Sequence, residues 1–415
     1  MLNTIPKKII FLVVSFIVMM ILYYPSLNGG PLFDDIHFIF KSVHISDEFS
    51  YWTIWRDFSW PVSVSAEKIL FQIWQYEFIY YHALNLILHF LNSYLLLRLM
   101  GKFDVPYPHF FFLLFLLHPA NVISVSWMVQ LKTVLCFTFC ITAFFFLLKA
   151  LEDKRYYPLS WLCFLLSVLS KSASLPIVLL FVIYVCRRKG KAQLMWMLPF
   201  LLISSYSTYK ILNSEITTEA SIQIESKSFV AVDNGKSSDH KVLPPEDTYQ
   251  KDLMESFKSR SISFLKTNHY YFWQSLIPVD SYPIKGQGIN KLNLTVIFHL
   301  FFILILIYLN WGNFACMSLL LGFIMLSPFL GFFTAPYMTL TWVSEQHLYL
   351  ALPFFLFFWL SILEKWKFKY ASVIPAVVLI FFSVQTYRAA AYYDNEEIFY
   401  TKSLEADPHN LPIAY

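Results

Sequence analysis

The chain has 415 residues, of which 57% are hydrophobic and 14% charged, and its formal net charge is +4. Soluble globular chains carry about a quarter charged residues, so composition excludes an ordinary soluble domain. The small, dispersed positive charge forms no basic patch with interleaved aromatics, which excludes nucleic-acid recognition. The five cysteines, Cys136, Cys140, Cys163, Cys186 and Cys316, all lie in or beside apolar segments. That placement argues against a disulfide framework or a zinc site, whose ligands converge from polar loops.

The chain opens on a short polar stretch ending in Lys7 and Lys8, followed by the apolar run Ile9–Tyr24. No small-residue cleavage site follows, so this run reads as a retained first membrane helix with its lysines in the cytoplasm. Residues 26–81 then form a first outer loop. It carries Trp52, Trp55, Trp60, Phe71, Trp74, Tyr80 and Tyr81, a density suited to helices lying at the membrane–water interface. Near its start stands Phe33-Asp34-Asp35. Two carboxylates this close to a bilayer are costly and point to function; capping a loop helix is the competing local role.

The second span, His82–Leu99, places His82, Asn85, His89 and Asn92 on one helical face. Such a stripe faces a bundle interior or cavity, or else bonds neighbouring helices. Arg98 and Lys102 mark a cytoplasmic turn, and His109–Leu117 rises outward to His118-Pro119-Ala120-Asn121. Val122–Met128 reads as a second interfacial helix. Gln130-Leu131-Lys132 opens the fourth span, which ends at Lys149.

Two short apolar runs, Leu159–Leu169 and Leu175–Cys186, are split by Ser170-Lys171-Ser172-Ala173. As a hairpin they put Lys171 at the outer tip and return to the basic cluster Arg187, Arg188, Lys189 and Lys191. Leu194–Leu212 crosses outward to a polar outer loop, 213–268. His269–Pro278 reads as interfacial or re-entrant. Leu292–Leu309, Cys316–Phe333, His347–Leu363 and Ser372–Tyr387 complete the crossings. The expectation is an all-α polytopic membrane protein of roughly eleven spans, with a membrane domain over 1–387 and an outer C-terminal tail over 388–415. Lys and Arg concentrate in the turns assigned to the cytoplasm, as the positive-inside bias requires. Asp34, Asp35, His82, His118, Lys132, Lys171, Glu345 and His347 then share the outer level of the membrane.

Several motifs in order resemble the membrane domain of TPR-containing protein O-mannosyltransferases and their bacterial relatives. They are Phe33-Asp34-Asp35, Tyr81-His82-Ala83-Leu84-Asn85, Leu117-His118-Pro119-Ala120-Asn121-Val122, Gln130-Leu131-Lys132 and Leu169-Ser170-Lys171-Ser172. Phe272-Trp273 with Leu276-Ile277-Pro278 and Tyr282-Pro283, and Val343-Ser344-Glu345 with Tyr349-Leu350-Ala351, are similar to later segments of that family. The tail, with Tyr400-Thr401, Leu404, Pro408 and Asn410, resembles the first helix of a TPR; no TPR array follows in this sequence.

The resemblance implies a GT-C-like bundle and an inverting transfer of sugar from a polyprenyl-phosphate carrier to an acceptor hydroxyl at the outer membrane face. The acceptor would be a protein Ser/Thr or a glycolipid. A carboxylate of the Asp34-Asp35 pair would be the base. Lys132 and Lys171, with His82, His118, Glu345 and His347, would hold the donor and its phosphate. No cofactor is required, although outer-face carboxylates can hold a divalent cation weakly. The family branch implies a bacterial inner membrane, with the N-terminus cytoplasmic and the C-terminus periplasmic. The chain departs from the family pattern at Ile123, where a Glu is usual, at Trp60-Pro61, where Arg or His precedes the Pro, and at Thr133, where Asn or Asp is common. The competing readings are a glycosyltransferase acting on lipid or glycan, a transporter, and a non-catalytic membrane protein.

Overall fold

The computed structural model describes residues 5–40, 50–103, 105, 107–211, 257–279, 281–285, 294–331, 341–365 and 373–407. Every regular element among them is helical. In lipid a backbone must satisfy its own hydrogen bonds, and long apolar runs do so as helices.

In chain order, α1 (Ile5–Leu27) leads into the Asp34-Asp35 loop. α2 (Tyr51–Asp57) and α3 (Pro61–Trp74) follow, then α4 (Phe78–Met100), α5 (Pro108–Leu116), α6 (Val122–Ser126), α7 (Leu131–Ala150), α8 (Tyr157–Ser170), α9 (Ile177–Lys189) and α10 (198–211). The remainder is α11 (Phe257–Gln274), α12 (Leu294–Leu309), α13 (Phe314–Leu326), α14 (Leu348–Lys365), α15 (Val373–Ala391) and α16 (Glu396–Ala406).

Among the described residues, five segments are long and apolar enough to cross a membrane: Lys7–Leu27, Phe78–Met100, Met128–Ala150, Glu345–Glu364 and Val373–Ala391. A sixth is the pair Pro108–Leu116 and Pro119–Ser126, bent by 50°. The bend has a local cause. His118 precedes a proline, which drives it to an extended backbone (φ −76°, ψ 123°) and interrupts the helix. The chain is therefore a multi-pass membrane protein on the evidence of these helices. α12 and Phe314–Phe329 are apolar but shorter.

The bundle packs α1 against α4 and α15, α4 against α5 and α7, α7 against α8, and α13 against α14. The polar stripe on α4 is entirely internal. Asn85 Nδ2 donates to the Trp127 carbonyl (3.2 Å), and Asn92 Nδ2 donates to the Val134 carbonyl (3.1 Å). His89 Nε2–H donates to the Leu116 carbonyl (3.1 Å), leaving Nδ1 to accept from the Tyr349 hydroxyl (2.8 Å). The stripe below His82 is thus interhelical glue, fixing α4 to α5, α7 and α14. Cys136 and Cys140 are buried free thiols on α7.

α2 and α3 expose Trp52, Trp55, Ile69 and Ile73. Of the expected polar loop 213–268, residues 213–256 lie outside the described residues. The rest, 257–268, are the first turns of α11. These turns are polar enough (Lys258, Ser259, Arg260, Ser261) to read as loop by hydropathy.

Candidate functional site

The Asp34-Asp35 loop is held by its own backbone and by a distant turn. Phe33 has a left-handed backbone (φ 41°), an uncommon state for a bulky side chain and one that concentrates at functional sites. Beyond this bend, Leu32 N–H donates to Asp35 Oδ2 at 3.0 Å. On the other side, Val129 N–H donates to Asp35 Oδ1 at 2.7 Å. Trp127 adds a third tie, its indole N–H donating to the Leu32 carbonyl (3.2 Å). Asp35 is 1% exposed. Burial pushes its carboxyl up to about 8, against the lowering effect of the two amides and Lys132. Asp34 is half-buried and lies within electrostatic reach of Asp35 and of Tyr400 on α16.

The turn that holds Asp35 also holds Lys171. Residues 128–130 form a 3₁₀ turn leading into α7. Lys171 caps α8 in an extended conformation, and its ammonium donates to Thr133 Oγ1 (2.7 Å) and Gln130 Oε1 (3.3 Å). It is almost fully buried, and its pKa is pushed down to about 7 by desolvation first and by the Lys132 charge second. Lys132 lies over the rings of Phe38 (5.4 Å) and Trp60 (5.5 Å), a cation–π arrangement. Trp60 keeps a buried indole N–H with no acceptor among the described residues. His347, stacked on Phe329 at 3.9 Å, lies within electrostatic reach of both lysines.

The structure thus brings Asp34, Asp35, Lys132, Lys171 and His347 together. The other three expected residues are placed differently. His82 Nε2–H donates to the Gly29 carbonyl (3.2 Å), tying α4 to the start of the Asp loop. His118 Nδ1 accepts from Ala120 N–H (3.2 Å) while Nε2–H donates to the Ser275 carbonyl (3.3 Å), so both nitrogens serve the backbone. Glu345 accepts from Tyr270 (2.5 Å) and Gln274 (3.2 Å) and pairs with Lys285 Nζ (3.2 Å). It anchors the turn that carries His347 to α11 and the segment after it.

Sequence reasoning passed over Glu67, Lys285, Tyr270 and Tyr393, and read Gln130 only as part of a motif, with no role of its own. Glu67 sits on the inward face of α3 with Pro61, Ser63, Val64 and Lys68, and it feels both Lys132 and Asp35. Its inward position had a trace in the sequence. Helical spacing puts Ile69 and Ile73 on the face opposite Glu67, a trace that became readable only once α3 was docked. Tyr393 is buried within electrostatic reach of Glu345 and Asp35; burial first, and then those charges, raise its pKa. It shares a narrow cleft with Ile123, Tyr282 and Glu345. Among the described residues no group of three His, Cys, Asp or Glu side chains is placed to hold a metal ion.

No family model, no curated protein and no solved structure matches this chain.

Proposed function

We propose that this chain is an integral-membrane glycosyltransferase of GT-C type, built on an eleven-span bundle. It moves a sugar from a polyprenyl-phosphate carrier to an acceptor hydroxyl, a protein Ser or Thr. The observation that carries this reading is the convergence on one helical turn. Asp35 is bonded to Val129, Lys171 is bonded to Gln130 and Thr133, and Lys132 lies in the same stretch. Hydroxyl deprotonation beside a departing phosphate needs this combination of acid and cations.

Asp34 is the general base. A base must reach the proton it removes, and Asp34 is half-buried where Asp35 is enclosed with both oxygens bonded to amides. Asp35 is the positioning residue that fixes the loop. Asp34 takes the acceptor proton, and the freed oxygen bonds to the anomeric carbon from the face opposite the phosphate. The bond from that carbon to the phosphate oxygen breaks, its electron pair leaves with the phosphate, and configuration inverts. Lys132 and Lys171 stabilise the charge gathering on that phosphate, with the Trp60 N–H as a further donor.

His82 and His118 fix the two loops that carry these groups, and Glu345 positions His347. The chemistry needs no cofactor; a divalent cation at Asp34 is compatible with it. The setting is a bacterial inner membrane, with the N-terminus cytoplasmic and this site periplasmic.

The test is transfer of labelled sugar from a polyprenyl-phosphate donor in membranes containing the native chain, Asp34→Asn or Asp35→Asn. Label entering protein with the native chain and none with Asp34→Asn is the expected result. Folded native protein that transfers from no polyprenyl-phosphate sugar overturns the reading, as does undiminished transfer by Asp34→Asn.

A further inference from the structure

A buried carboxylate that the proposed transfer does not use stands behind the donor site. Glu67 is 4% exposed on α3, on the face opposite the exposed Ile69 and Ile73. One turn earlier on the same face, Ser63 Oγ donates to the Ser170 carbonyl (3.0 Å), the residue before Lys171. This bond docks α3 on the tip of the α8–α9 hairpin and fixes where Glu67 points. α3 also packs on the π-helical turn Ile36–Phe40 that follows the Asp pair and on α7. From this docked helix Glu67 lies within electrostatic reach of Lys132 and Asp35.

Lys132 is the cation Glu67 faces. Its ammonium is boxed by Phe38 and Trp60. Among the described residues it makes no contact ion pair with any carboxylate; the ion pairs found there involve Arg56, Arg155, Lys285 and Lys402. A half-buried ammonium held near a carboxylate, but not on it, can exchange that partner for an incoming anion.

Resting on the donor-site reading above, we infer that Glu67 is the exchangeable counter-ion of Lys132. Its ionised carboxylate competes with the lipid phosphate for the Lys132 ammonium and helps expel the spent carrier. The leaving phosphate gains negative charge as the sugar departs, so a resident carboxylate opposes the product more than the donor. The surrounding charges are Asp34 and Asp35 on the first loop, Lys171 at the hairpin tip, His347 beyond it, and Lys68 on the same helix over the Tyr51 ring (5.6 Å). Burial, with the Asp35 charge adding to it, raises the Glu67 carboxyl to about 8 despite Lys132. The competition therefore grows as pH rises through that value. Loss of the Lys171 charge also weakens anion binding with rising pH, but it does so equally with and without Glu67.

The experiment measures binding of a short-chain polyprenyl monophosphate to the purified full chain from pH 6 to 9. It compares native protein with Glu67→Gln, Lys132→Met and the double variant, with the thermal midpoint recorded for each. Glu67→Gln binds more tightly than native, by roughly tenfold at the alkaline end, the size expected of one nearby unit charge in a partly buried site. The gain shrinks toward pH 6 and vanishes in the Lys132→Met background. A merely structural glutamate gives the opposite sign, because disturbing the site weakens binding. If Glu67→Gln does not fold, Glu67→Asp replaces it, withdrawing the carboxylate from Lys132 with a gain of the same sign. A folded variant that binds as native or worse at every pH overturns the counter-ion and leaves the donor site standing. Native protein that does not bind the probe overturns both.

Discussion

The Val129 amide donates a 2.7 Å hydrogen bond to Asp35 Oδ1 across 94 residues of sequence. Through it the first loop and the start of α7 become one unit, and Lys132, three residues on, is fixed relative to the acid pair. Most consequences of the site follow from this bond.

Asp34 and Asp35 separate on substitution. Asp34→Asn keeps the fold and abolishes transfer. Asp35→Asn turns an amide N–H toward a backbone N–H that needs an acceptor, leaving a buried donor unsatisfied at a cost of about 1–3 kcal/mol. Thermal unfolding in detergent shows a lowered midpoint for Asp35→Asn alone, and sugar transfer falls in both.

Lys171→Met removes a buried ammonium from Gln130 and Thr133. If that ammonium binds the donor phosphate, the loss of a charge-assisted hydrogen bond of about 1.5–3 kcal/mol weakens polyprenyl-phosphate binding by roughly tenfold or more. Titration of the native chain checks the same point from another side. A pKa of about 7 rises when an anion binds, so binding near neutral pH takes up protons, and Lys171→Met loses that uptake.

Asp35 and Glu67 each contribute a loss of stability with rising pH in a defined window. Asp35 and Glu67 are each raised to about 8. The folded state therefore binds more protons than the unfolded chain from the ordinary carboxyl range upward. Their unfavourable contribution is absent below about pH 4, grows through the window and is complete above about pH 8. Lys171 acts in the opposite sense in a higher window, from about 7 to its ordinary 10.5. Thermal midpoints measured from pH 5 to pH 8 rise for Glu67→Gln relative to the native chain, and the difference grows with pH through that window.

Placing an acid at Ile123 does not help this chain. Ile123 is buried in the cleft that holds Glu345 and Tyr393, and Glu345 already takes the Lys285 ammonium. A second carboxylate there lacks a cation and repels the first. Ile123→Glu lowers the thermal midpoint and leaves transfer no higher than native; a gain in transfer sinks this account of the cleft.

The C-terminal helix closes the site. Phe399 on α16 is fully buried against Trp127 (5.9 Å between ring centres) and Tyr393 (5.7 Å). Trp127 in turn holds Leu32. Gly29 lies so close to the Tyr393 carbonyl that a Cβ would stand 2.3 Å from it, so the approach requires glycine. Phe399→Ala forfeits about 3–5 kcal/mol of packing if the pocket stays open. Limited proteolysis then cuts the tail faster than in native protein, and transfer falls with it.

The sequence alone determined that the chain is helical and membrane-embedded, because apolar runs and their flanking lysines are local properties that lipid reads directly. It also singled out Asp34, Asp35, Lys132, Lys171 and His347, since charge near a bilayer is conspicuous at one position. Only the tertiary structure decided what each does. The polarity that marked His82 and His118 is spent on the carbonyls of Gly29 and Ser275, groups 53 and 157 residues away. Glu345 is spent on Lys285, and Asp35 on Val129. Glu67 stayed hidden because a glutamate on an interfacial helix looks solvated until that helix is docked. A side chain's type is written locally, but whether its hydrogen bonds are free for a substrate depends on partners brought by packing from far along the chain.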